Sequence, residues 1–375
     1  MTNTPFIFVL IGATGDLAVR KVLPAFEALA ARGELPQQFH LICVTRQSGI
    51  PAPKFLPPAH TSVLQMDSSD PAQYTKLNER IAELERQWGM PAERIIYLSV
   101  PPATSHTIIE HLASFDLDRT KVVVEKPFGT DLESAEGLLS NISEHLTPAQ
   151  IYLMDHYVAK EFAQEVAEFS TTHHDLLQSH QIARVDIYAS ESLGVEGRLN
   201  FYEQTGALRD VVQNHLLALA ALLMAGNDPD DRARALGHVE IIHAWRGQYD
   251  GYRNEIPAST TETFAALEMM SHDPEWADVV FVLATGKALA TKETIVRVTT
   301  RTGETIVFRD TNPHTAYERV LSGVFQSDHA RFVSPQEVLA AWQVVAPIQQ
   351  KWQQDTSDLH IYPQGTDMAT LIPGL

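Results

Sequence analysis

The sequence predicts an α/β protein with two domains, a doubly wound N-terminal domain and a C-terminal α+β domain with a largely antiparallel sheet. The length of 375 residues suits two hydrophobic cores better than one. Up to residue 153, short apolar runs alternate with helical patterns, as in a parallel sheet covered by helices. From residue 154 to 375, strand-like segments follow one another and helices occur in blocks, which is typical of α+β domains.

The elements of domain 1–153 follow in a regular order. An apolar run at Pro5–Ile11 predicts the first strand, which ends in a glycine-rich turn before a helical stretch at Leu17–Arg32. The segment HLICVT, ending at Thr45, predicts the second strand. Because the link IPAPKFLPPAH is rich in proline, we expect neither a helix nor a central strand there. Further strands are predicted at Arg94–Val100 and Lys121–Glu125, with a helix near Ser105–Ser114 between them.

Domain 154–375 has a different pattern. Strands are predicted from the segments ARVDIYASE, ETFAALEMM, VVFVLATG and ETIVRVTTRTGETIVFRD, the last with a turn at Thr302-Gly303. Two helical blocks, Leu208–Met224 and Pro335–Trp352, accompany these strands.

Charge and cysteine content exclude several classes of protein. The net charge of −19 and the lack of a Lys/Arg run argue against nucleic-acid or anionic-membrane partners. The single cysteine, Cys43, excludes a disulfide within the chain and a cysteine-based metal site. No metal-ligand spacing such as H-E-x-x-H occurs, so no metal is expected. The apolar run at the N-terminus is too short for a signal peptide, and we expect a cytoplasmic protein.

A glycine-rich turn stands where the first strand meets the first helix. It consists of Gly12, Ala13, Thr14, Gly15 and Asp16. Backbone N–H groups in such a turn, together with the helix dipole, can hold a pyrophosphate. The turn departs from the full G-x-G-x-x-G fingerprint, so a plain left-handed turn is the alternative. Its position between a strand and a helix favours a dinucleotide site and a Rossmann-like domain.

The end of the second strand indicates which dinucleotide binds. An acidic residue there bonds the ribose 2′-hydroxyl, whereas an arginine accommodates a 2′-phosphate. Here Thr45 and Arg46 follow the apolar run without a carboxylate. NADP is therefore favoured over NAD, and the alternative is that Arg46 is an ordinary solvated residue.

The segment DHYVAK places Asp155, His156, Tyr157 and Lys160 within six residues. If a helix begins near Asp155, His156 and Lys160 share one face and lie near its positive end. Two cations and a phenol there would form an anion clamp, most simply for a phosphate monoester. In the alternative interpretation His156 packs, Lys160 is solvated and Asp155 caps the helix.

The segment GALRDVVQNHLLALAALL predicts a helix whose later turns are buried. Asp210, Gln213, Asn214 and His215 lie at its entrance, where polar atoms need partners. A histidine held by a carboxylate is suited to remove a hydroxyl proton while a hydride leaves the same carbon. A satisfied core histidine is the alternative, and spacing does not identify the carboxylate.

Several segments together resemble the glucose-6-phosphate dehydrogenase family. They occur in the family's order across nearly the whole chain, and EKPFG, DHYVAK and GALRDVVQNH are the specific motifs. The matching segments are GATGDLAVRKVLPA, TRQ, IIYLSVPP, VEKPFGTDLESA, DHYVAKE, SESLGVEGRLNFYEQTGALRDVVQNHLL, TETFAALEM, TGKALATKE and AYERVLSGVF.

The resemblance implies a role for each matching residue. His215 matches the general base that takes the C1 hydroxyl proton, and Asp155 matches the carboxylate that orients this base. The implied phosphate ligands are His156, Tyr157 and Lys160, and the other implied substrate residues are Glu191, Asp210, Lys21, Lys287 and Lys292. The implied cofactor-binding residues are Gly12, Ala13, Thr14, Gly15, Asp16, Leu17, Arg46, Pro101, Lys126 and Pro127.

The implied activity is oxidation of glucose 6-phosphate at C1 to 6-phosphogluconolactone with NADP, the first step of the oxidative pentose phosphate pathway. NAD is a weaker alternative cofactor. The family's large sheet forms a dimer interface, so a homo-oligomer is also implied.

This chain departs from the family pattern in its length and in parts of the substrate region. It is shorter after the second strand and between ETIVFRD and AYERV. Leu153, Val158, Ala159, Ala284 and Thr285 replace the usual residues. Two alternatives therefore stay open: the same chemistry on another sugar 6-phosphate, or a non-catalytic homologue that binds NADPH or a sugar phosphate and regulates a partner.

Overall fold

The computed structural model describes residues 4–112, 117–178, 180–312 and 316–373. Within it the chain forms two compact units. The first contains Met1–Gly129, Glu136–His156 and His314–Val333, and the second contains Thr130–Ala135, Tyr157–Pro313 and Ser334–Leu375. The predicted domain boundary after residue 153 stays a prediction.

The described residues form strands and helices in the following order. The strands are β1 Phe6–Ile11, β2 Phe39–Thr45, β3 Thr61–Gln65, β4 Glu93–Leu98, β5 Thr120–Glu125, β6 Ile151–Met154, β7 Ile182–Ser190, β8 Val239–Tyr249, β9 Phe264–Ser271, β10 Val280–Gly286, β11 Glu293–Thr300, β12 Thr305–Arg309 and β13 Leu359–Tyr362. The α-helices are α1 Leu23–Ala31, α2 Tyr74–Trp88, α3 Pro102–Leu112, α4 Leu132–His145, α5 Glu161–Ala167, α6 Phe169–Thr172, α7 His174–Gln178, α8 Leu199–Ala207, α9 Leu217–Ala225, α10 Pro229–Gly237, α11 Tyr252–Glu255, α12 Ala316–Gln326 and α13 Pro335–Gln354. A π-helical segment, Ala18–Val22, precedes α1, and another, Leu208–Leu216, joins α8 to α9.

The first unit is built on a six-stranded parallel sheet with the order β3-β2-β1-β4-β5-β6. Strand β1 is buried along its whole length and pairs with both β2 and β4. At its end Ile11 lies beside Val44 and Leu98. The carboxyl ends of these three strands therefore reach the same edge of the sheet. This strand order confirms the predicted doubly wound, Rossmann-like domain.

Strand β3 is not predicted from the sequence. It follows the proline-rich link and pairs in parallel with β2. Its five residues, TSVLQ, are only partly buried, so they lack the continuous apolar run that identified β1, β2, β4 and β5. The helix near Ser105–Ser114 is found as α3, and the predicted positions 113 and 114 lie outside the described residues.

Helix α12 belongs to the first unit although it comes late in the chain. Phe325 stacks on Phe6 with 4.7 Å between ring centroids and meets the edge of Phe26 at 6.2 Å. Shortly after the helix, Val333 forms an isolated antiparallel bridge with Leu153. These contacts join residues that are far apart in the chain, and no local pattern predicts them.

The second unit contains a seven-stranded sheet with the order β12-β11-β7-β10-β9-β8-β13. The β7–β10 and β8–β13 pairs are parallel, and the other pairs are antiparallel. Strands β11 and β12 form a hairpin around Thr302-Gly303, where Gly303 has a φ of 89°. The sheet confirms the predicted α+β domain with a largely antiparallel sheet.

The helical segment from α8 to α9 forms the core of the second unit. The stretch Glu196–Ala225 is long and apolar enough to cross a membrane, but 89% of its most apolar window is buried inside the protein. All residues from Leu216 to Met224 are buried. The predicted helix Leu208–Met224 is part of this segment, and its apolar surface is used for packing.

The expectation of a helix beginning near Asp155 is wrong. Strand β6 ends at Met154, the next residues form a turn in which the Lys160 N–H donates to the Tyr157 carbonyl at 3.1 Å, and α5 begins only at Glu161. His156 and Lys160 therefore do not share a helix face. The physical reason is that a strand leaving a sheet needs a reversal before a helix can start, and this turn uses the polar residues of the motif.

We predict that the buried ion pair between α10 and α13 is essential for the stability of the second unit. The Arg232 Nε donates to Glu337 Oε2 at 3.0 Å, and the two side chains are 0% and 2% exposed. Replacing Arg232 with Met should lower the free energy of unfolding by about 3–5 kcal/mol, because Glu337 would keep a buried charge without its cation. Chemical denaturation measures this change.

The matched control is Arg234→Met on the same helix. Arg234 pairs with Asp231 at 2.5 Å, but their side chains are 67% and 46% exposed. Its loss should change stability by about 0–1 kcal/mol. Equal effects of the two substitutions would contradict the prediction.

Candidate functional site

The turn after β1 requires a glycine, because any other residue at this position would force neighbouring atoms to move. Gly12 has a φ of 85°, and a Cβ atom there would lie 2.2 Å from the Ser99 carbonyl oxygen. The N–H groups of Gly12 and Ala13 donate to the Val44 carbonyl at 3.1 and 3.0 Å. Gly15 donates to the Gly12 carbonyl at 2.9 Å. The Gly12 and Ala13 amides hold the turn against β2, so a bound phosphate would depend on the N–H groups of the helical residues that begin at Asp16 and lead into the π-helical segment Ala18–Val22.

A cavity of about 300 Å³ opens in the first unit at the carboxyl ends of β1, β2, β3 and β4. Ligands of doubly wound domains bind at this edge. Its lining contains the predicted residues Gly12, Thr14, Gly15, Arg46 and Pro101, whereas Ala13, Asp16 and Leu17 are not among the described residues that line it. Glycines that admit a close approach, hydroxyl groups and a cation together fit a dinucleotide phosphate.

The base of this cavity is fixed by a hydrogen-bonded pair of threonines. The Thr14 and Thr45 hydroxyls are 3.2 Å apart, and Thr45 Oγ1 accepts the Gln47 N–H at 3.1 Å. This arrangement holds the backbone around Arg46, whose exposed side chain lines the cavity.

The same cavity contains a carboxylate that sequence reasoning missed. Asp67 follows β3, and its Oδ1 accepts the Ser69 N–H at 3.0 Å. The only sequence signal is its place just after a short strand, which itself escaped prediction. Its carboxylate adds a negative charge to the lining of a cavity that also contains Arg46.

The ends of β5 and β6 in the first unit bring two carboxyl groups to neighbouring positions. Glu125 is the register partner of Met154, so Asp155 is one residue further along the adjacent strand. Asp155 is 1% exposed. The Tyr97 hydroxyl donates to Glu125 Oε1 at 2.5 Å, and Tyr317 also hydrogen-bonds this carboxyl group. Neither Glu125 nor the two tyrosines were assigned a role from the sequence.

The pKa of Glu125 is raised to about 7, mainly because burial disfavours its charged form. The charge of Asp155 also raises this pKa, whereas the Tyr97 hydrogen bond and the charge of Lys126 lower it. Burial raises the pKa values of Tyr97 and Tyr317 above their ordinary value, so both hydroxyls stay protonated at neutral pH. The Lys126-Pro127 peptide after β5 is cis.

In the second unit, three of the predicted residues form a stack. The rings of Tyr157 and His215 lie parallel within 16°, with centroids 4.0 Å apart. The Lys160 Nζ lies 3.5 Å from the Tyr157 centroid and 2.8 Å from Asp310 Oδ2. His215 is 3% exposed and Lys160 is 5% exposed. Asp310, which follows β12, was not identified from the sequence because nothing local connects it to Lys160.

His215 owes its position to a π-helical turn with a fixed beginning. Gly206, with a φ of 65°, breaks the helix, and a Cβ there would lie 2.2 Å from Glu262 Oε1. The Glu262 carboxylate instead accepts the Leu208 N–H at 3.0 Å. The π-helical segment Leu208–Leu216 carries both Asp210 and His215, and both are buried. Widened turns of this kind are frequent at functional sites.

A second polar group of the second unit lies where the parallel strands β7 and β10 end. Glu191 and Lys287 form an ion pair, and Lys287 Nζ lies 5.6 Å from the Tyr202 centroid. Burial raises the pKa of Tyr202 well above its ordinary value, and the charges of Asp210 and Glu191 add to this effect. Glu191, Asp210 and Lys287 are thus grouped around one phenol.

Two predicted substrate residues have exposed side chains. They are Lys21, in the first unit, and Lys292, in the second. Their assignment to a substrate depends on the resemblance alone.

Comparison with known proteins identifies the family. The family description "Glucose-6-phosphate dehydrogenase, NAD binding domain" matches residues 9–56 and 53–165. The description of the C-terminal domain of the same family matches residues 169–315 and 305–371. The chain belongs to the glucose-6-phosphate dehydrogenase family.

Relatives in this family are similar over most of their length. The glucose-6-phosphate 1-dehydrogenase of Chlamydia pneumoniae is 30% identical over 477 residues, which cover 97% of this chain and 93% of the relative. Since this alignment is longer than the 375 residues of the chain, it includes insertions in the relative. The enzyme of Bacillus subtilis (strain 168) is 34% identical over 343 residues, covering 78% and 70% of the two chains.

A solved structure agrees in fold. It is described as glucose-6-phosphate dehydrogenase in complex with its substrate glucose-6-phosphate, and its TM-score with this chain is 0.87. The two chains are 23% identical, and the match covers 100% of this chain and 97% of the other. At this identity the match establishes the fold alone, and it agrees with the parallel and mixed sheets described above.

We predict that Glu125 makes the stability of the protein depend on pH between about 4.5 and about 7. A carboxyl group whose folded pKa is raised from 4.5 to about 7 favours the folded state at low pH, and this contribution is lost as pH rises through 7. Relative to Glu125→Gln, wild type should therefore lose about 3 kcal/mol of unfolding free energy between these pH values. Urea denaturation at a series of pH values measures the difference.

The control for this measurement is Glu93→Gln. Glu93 begins β4 at the other edge of the same sheet and pairs with Lys121 at 2.5 Å. This variant removes the same charge but should show no such loss relative to wild type as pH rises. A constant difference between wild type and Glu125→Gln at all pH values would contradict the prediction.

Proposed function

We propose that the protein oxidises glucose 6-phosphate at C1 to 6-phosphogluconolactone, with NADP as the hydride acceptor. The observation that carries this proposal is the stack of the second unit, in which a buried imidazole lies on a phenol that is itself in contact with an ammonium group. Family membership gives the reaction, and this stack brings together, from two different elements, the two groups that the reaction needs: a base and a cation.

His215 acts as the general base in this proposal. It takes the proton of the C1 hydroxyl while C1 loses its hydrogen as hydride and the C–O bond becomes a carbonyl. The nicotinamide supplies the hydride acceptor. A histidine suits this step because its ordinary pKa lies near neutrality. Asp155 has the orienting role that the resemblance implies.

The substrate phosphate is bound by Lys160 and Tyr157, together with His156. Charge-assisted hydrogen bonds to a phosphate are strong and directional, and they position C1 with binding energy gained at the far end of the sugar. Asp310 pairs with the buried ammonium of Lys160. Glu191 and Asp210 bond sugar hydroxyls, and Lys21, Lys287 and Lys292 complete the substrate set.

The cofactor is bound in the cavity at the carboxyl ends of β1 to β4. Arg46 contacts the 2′-phosphate, which favours NADP over NAD. Gly12, Thr14, Gly15 and Pro101 line the same cavity. Ala13, Asp16, Leu17, Lys126 and Pro127 complete the proposed cofactor set.

The same chemistry on another sugar 6-phosphate is the second candidate. Val158 and Ala159 stand between two phosphate ligands and are both 0% exposed, so they influence how the turn is packed. A non-catalytic role is less well supported because the proposed base, carboxylate and phosphate ligands are all present. We further propose that the protein is cytoplasmic and forms a homo-oligomer, as a dimer.

The direct experiment is to mix the purified protein with NADP and glucose 6-phosphate and follow the absorbance of the reduced nicotinamide. Parallel reactions contain NAD or other sugar phosphates. Rapid reduction with glucose 6-phosphate and NADP supports the proposal, and reduction with a different sugar phosphate alone supports the second candidate.

We expect His215→Asn to lower kcat by about 10²- to 10⁴-fold, because proton removal loses its base. The KM for glucose 6-phosphate should change little, because the proposed phosphate ligands are residues other than His215. Steady-state kinetics measure both values. The control is His360→Asn on β13, an exposed histidine of the same unit, and a His215 variant that keeps most of its rate would exclude this residue as the base.

Arg46→Ala should reduce the preference for NADP over NAD by about tenfold or more. Its guanidinium is proposed to bond the 2′-phosphate, and hydrogen bonds to charged groups contribute about 1.5–3 kcal/mol. The ratio of kcat/KM for the two cofactors measures this preference. Arg86→Ala, an exposed arginine near the end of α2, is the control, and an unchanged ratio in Arg46→Ala would contradict the assignment.

A further inference from the structure

Glu125 is a partly buried titratable group for which the proposed mechanism has no use. It ends β5, and its carboxyl group accepts the Tyr97 hydroxyl at 2.5 Å from β4. Tyr317, on α12, provides a second hydrogen bond. Three separate elements of the first unit therefore converge on one carboxyl group. Several hydrogen bonds of this kind are typical of a carboxyl group that is shielded from water, because polar groups away from water are costly unless they are fully paired.

The charged neighbours of Glu125 define its electrostatic environment. Lys126 follows it directly in the chain, and Asp155 follows its register partner Met154 on β6. Tyr97 and Tyr317 are the titratable groups that face it from β4 and α12. The ring of His156 lies near that of Tyr317, with 6.5 Å between centroids. Among these groups, Asp155 has the proposed orienting role, His156 is a proposed phosphate ligand and Lys126 belongs to the proposed cofactor set.

Two neighbouring carboxyl groups in a buried region do not ionise independently. The first negative charge disfavours the second, so the environments decide which group is charged and which carries the proton. The environment of Glu125 is distinctive, because two tyrosine hydroxyls hydrogen-bond its carboxyl group and burial raises its pKa. Pairs of acids whose environments separate their titrations are typical of functional sites.

We propose that Glu125 is a positioning residue that controls the electrostatic environment of Asp155. When Glu125 is protonated, the negative charge of these strand ends is on Asp155. When Glu125 ionises, it adds a second negative charge beside Asp155. The inference rests on the proposed function, in which Asp155 stabilises the protonated form of the base.

The proposal predicts a direction for the pH profile of the reaction. A second negative charge near the orienting carboxylate favours the protonated form of the base, so it raises the apparent pKa of that base. Glu125→Gln keeps the shape of the side chain but cannot acquire the charge. The apparent pKa in the kcat profile should therefore be lower than in wild type by about 0.5–1 pH unit.

The first arm of the test compares kcat profiles of wild type and three variants. Glu125→Asp restores an ionisable group and should return the profile toward wild type. Glu93→Gln removes a carboxylate at the opposite edge of the same sheet and should leave the profile unchanged. If Glu125→Gln does not fold, Tyr97→Phe replaces it. Loss of the Tyr97 hydrogen bond raises the pKa of Glu125, so this variant should shift the profile in the same direction as Glu125→Gln.

The second arm does not depend on turnover. Carbon-13 NMR of aspartate-labelled protein without substrate follows the carboxyl of Asp155, and Asp155→Asn assigns its signal. In wild type this signal should move when Glu125 titrates, and in Glu125→Gln that step should be absent. A purely structural role for Glu125 would not produce such a step.

The outcomes separate the inference from the proposed function. Turnover with identical kcat profiles and no step in the Asp155 signal overturns the inference and leaves the proposed function intact. A step in the Asp155 signal without any turnover supports the coupling of the two carboxyl groups and overturns the proposed function. A shifted profile together with the step supports both.

Discussion

A buried charge needs a partner, and several candidate functional residues of this protein are buried, among them Asp155, Lys160 and His215. Lys160 is paired with Asp310 and lies on the Tyr157 ring. Glu125 is held by Tyr97 and by a second tyrosine hydroxyl. Each pair links elements that are distant in sequence, so the demand for a partner fixes the elements relative to one another within their unit. The same demand makes these groups sensitive to substitution of either member.

The two sheets place these groups by different geometric means. In the first unit the parallel strands end at one edge, so the glycine turn, Arg46 and Ser99 meet there without any long insertion. In the second unit the position of His215 depends on a π-helical turn whose beginning is fixed by Gly206 and Glu262. An α-helix and a π-helix differ in their rotation per residue, so in a regular α-helix the imidazole of His215 would face another direction. The two units thus use strand direction and helix geometry, respectively, to present polar groups.

Much of the fold follows from local patterns in the sequence. The strand β1, the glycine turn and β2 were predicted nearly to the residue, because a long apolar run followed by Gly12 leaves few alternatives. The hairpin around Gly303 is another local feature. The prediction missed β3, β6, β8 and β13, and placed a helix at Asp155, where the chain turns. Three of these strands, β3, β6 and β13, are short and lie at the edges of their sheets, so their pairing depends on the neighbouring strand rather than on a long apolar run.

The sequence by itself determined the fold class, the family resemblance and the identity of His215, Lys160 and Arg46 as candidates, because motifs and periodicity are local properties. Only the tertiary structure decided what these residues contact. Asp310 beside Lys160, and Tyr97 beside Glu125, could not be predicted, since in each case the two residues come from different elements. Long-range contacts are selected by packing and by the cost of unpaired buried charge, and neither is encoded in a short stretch of sequence.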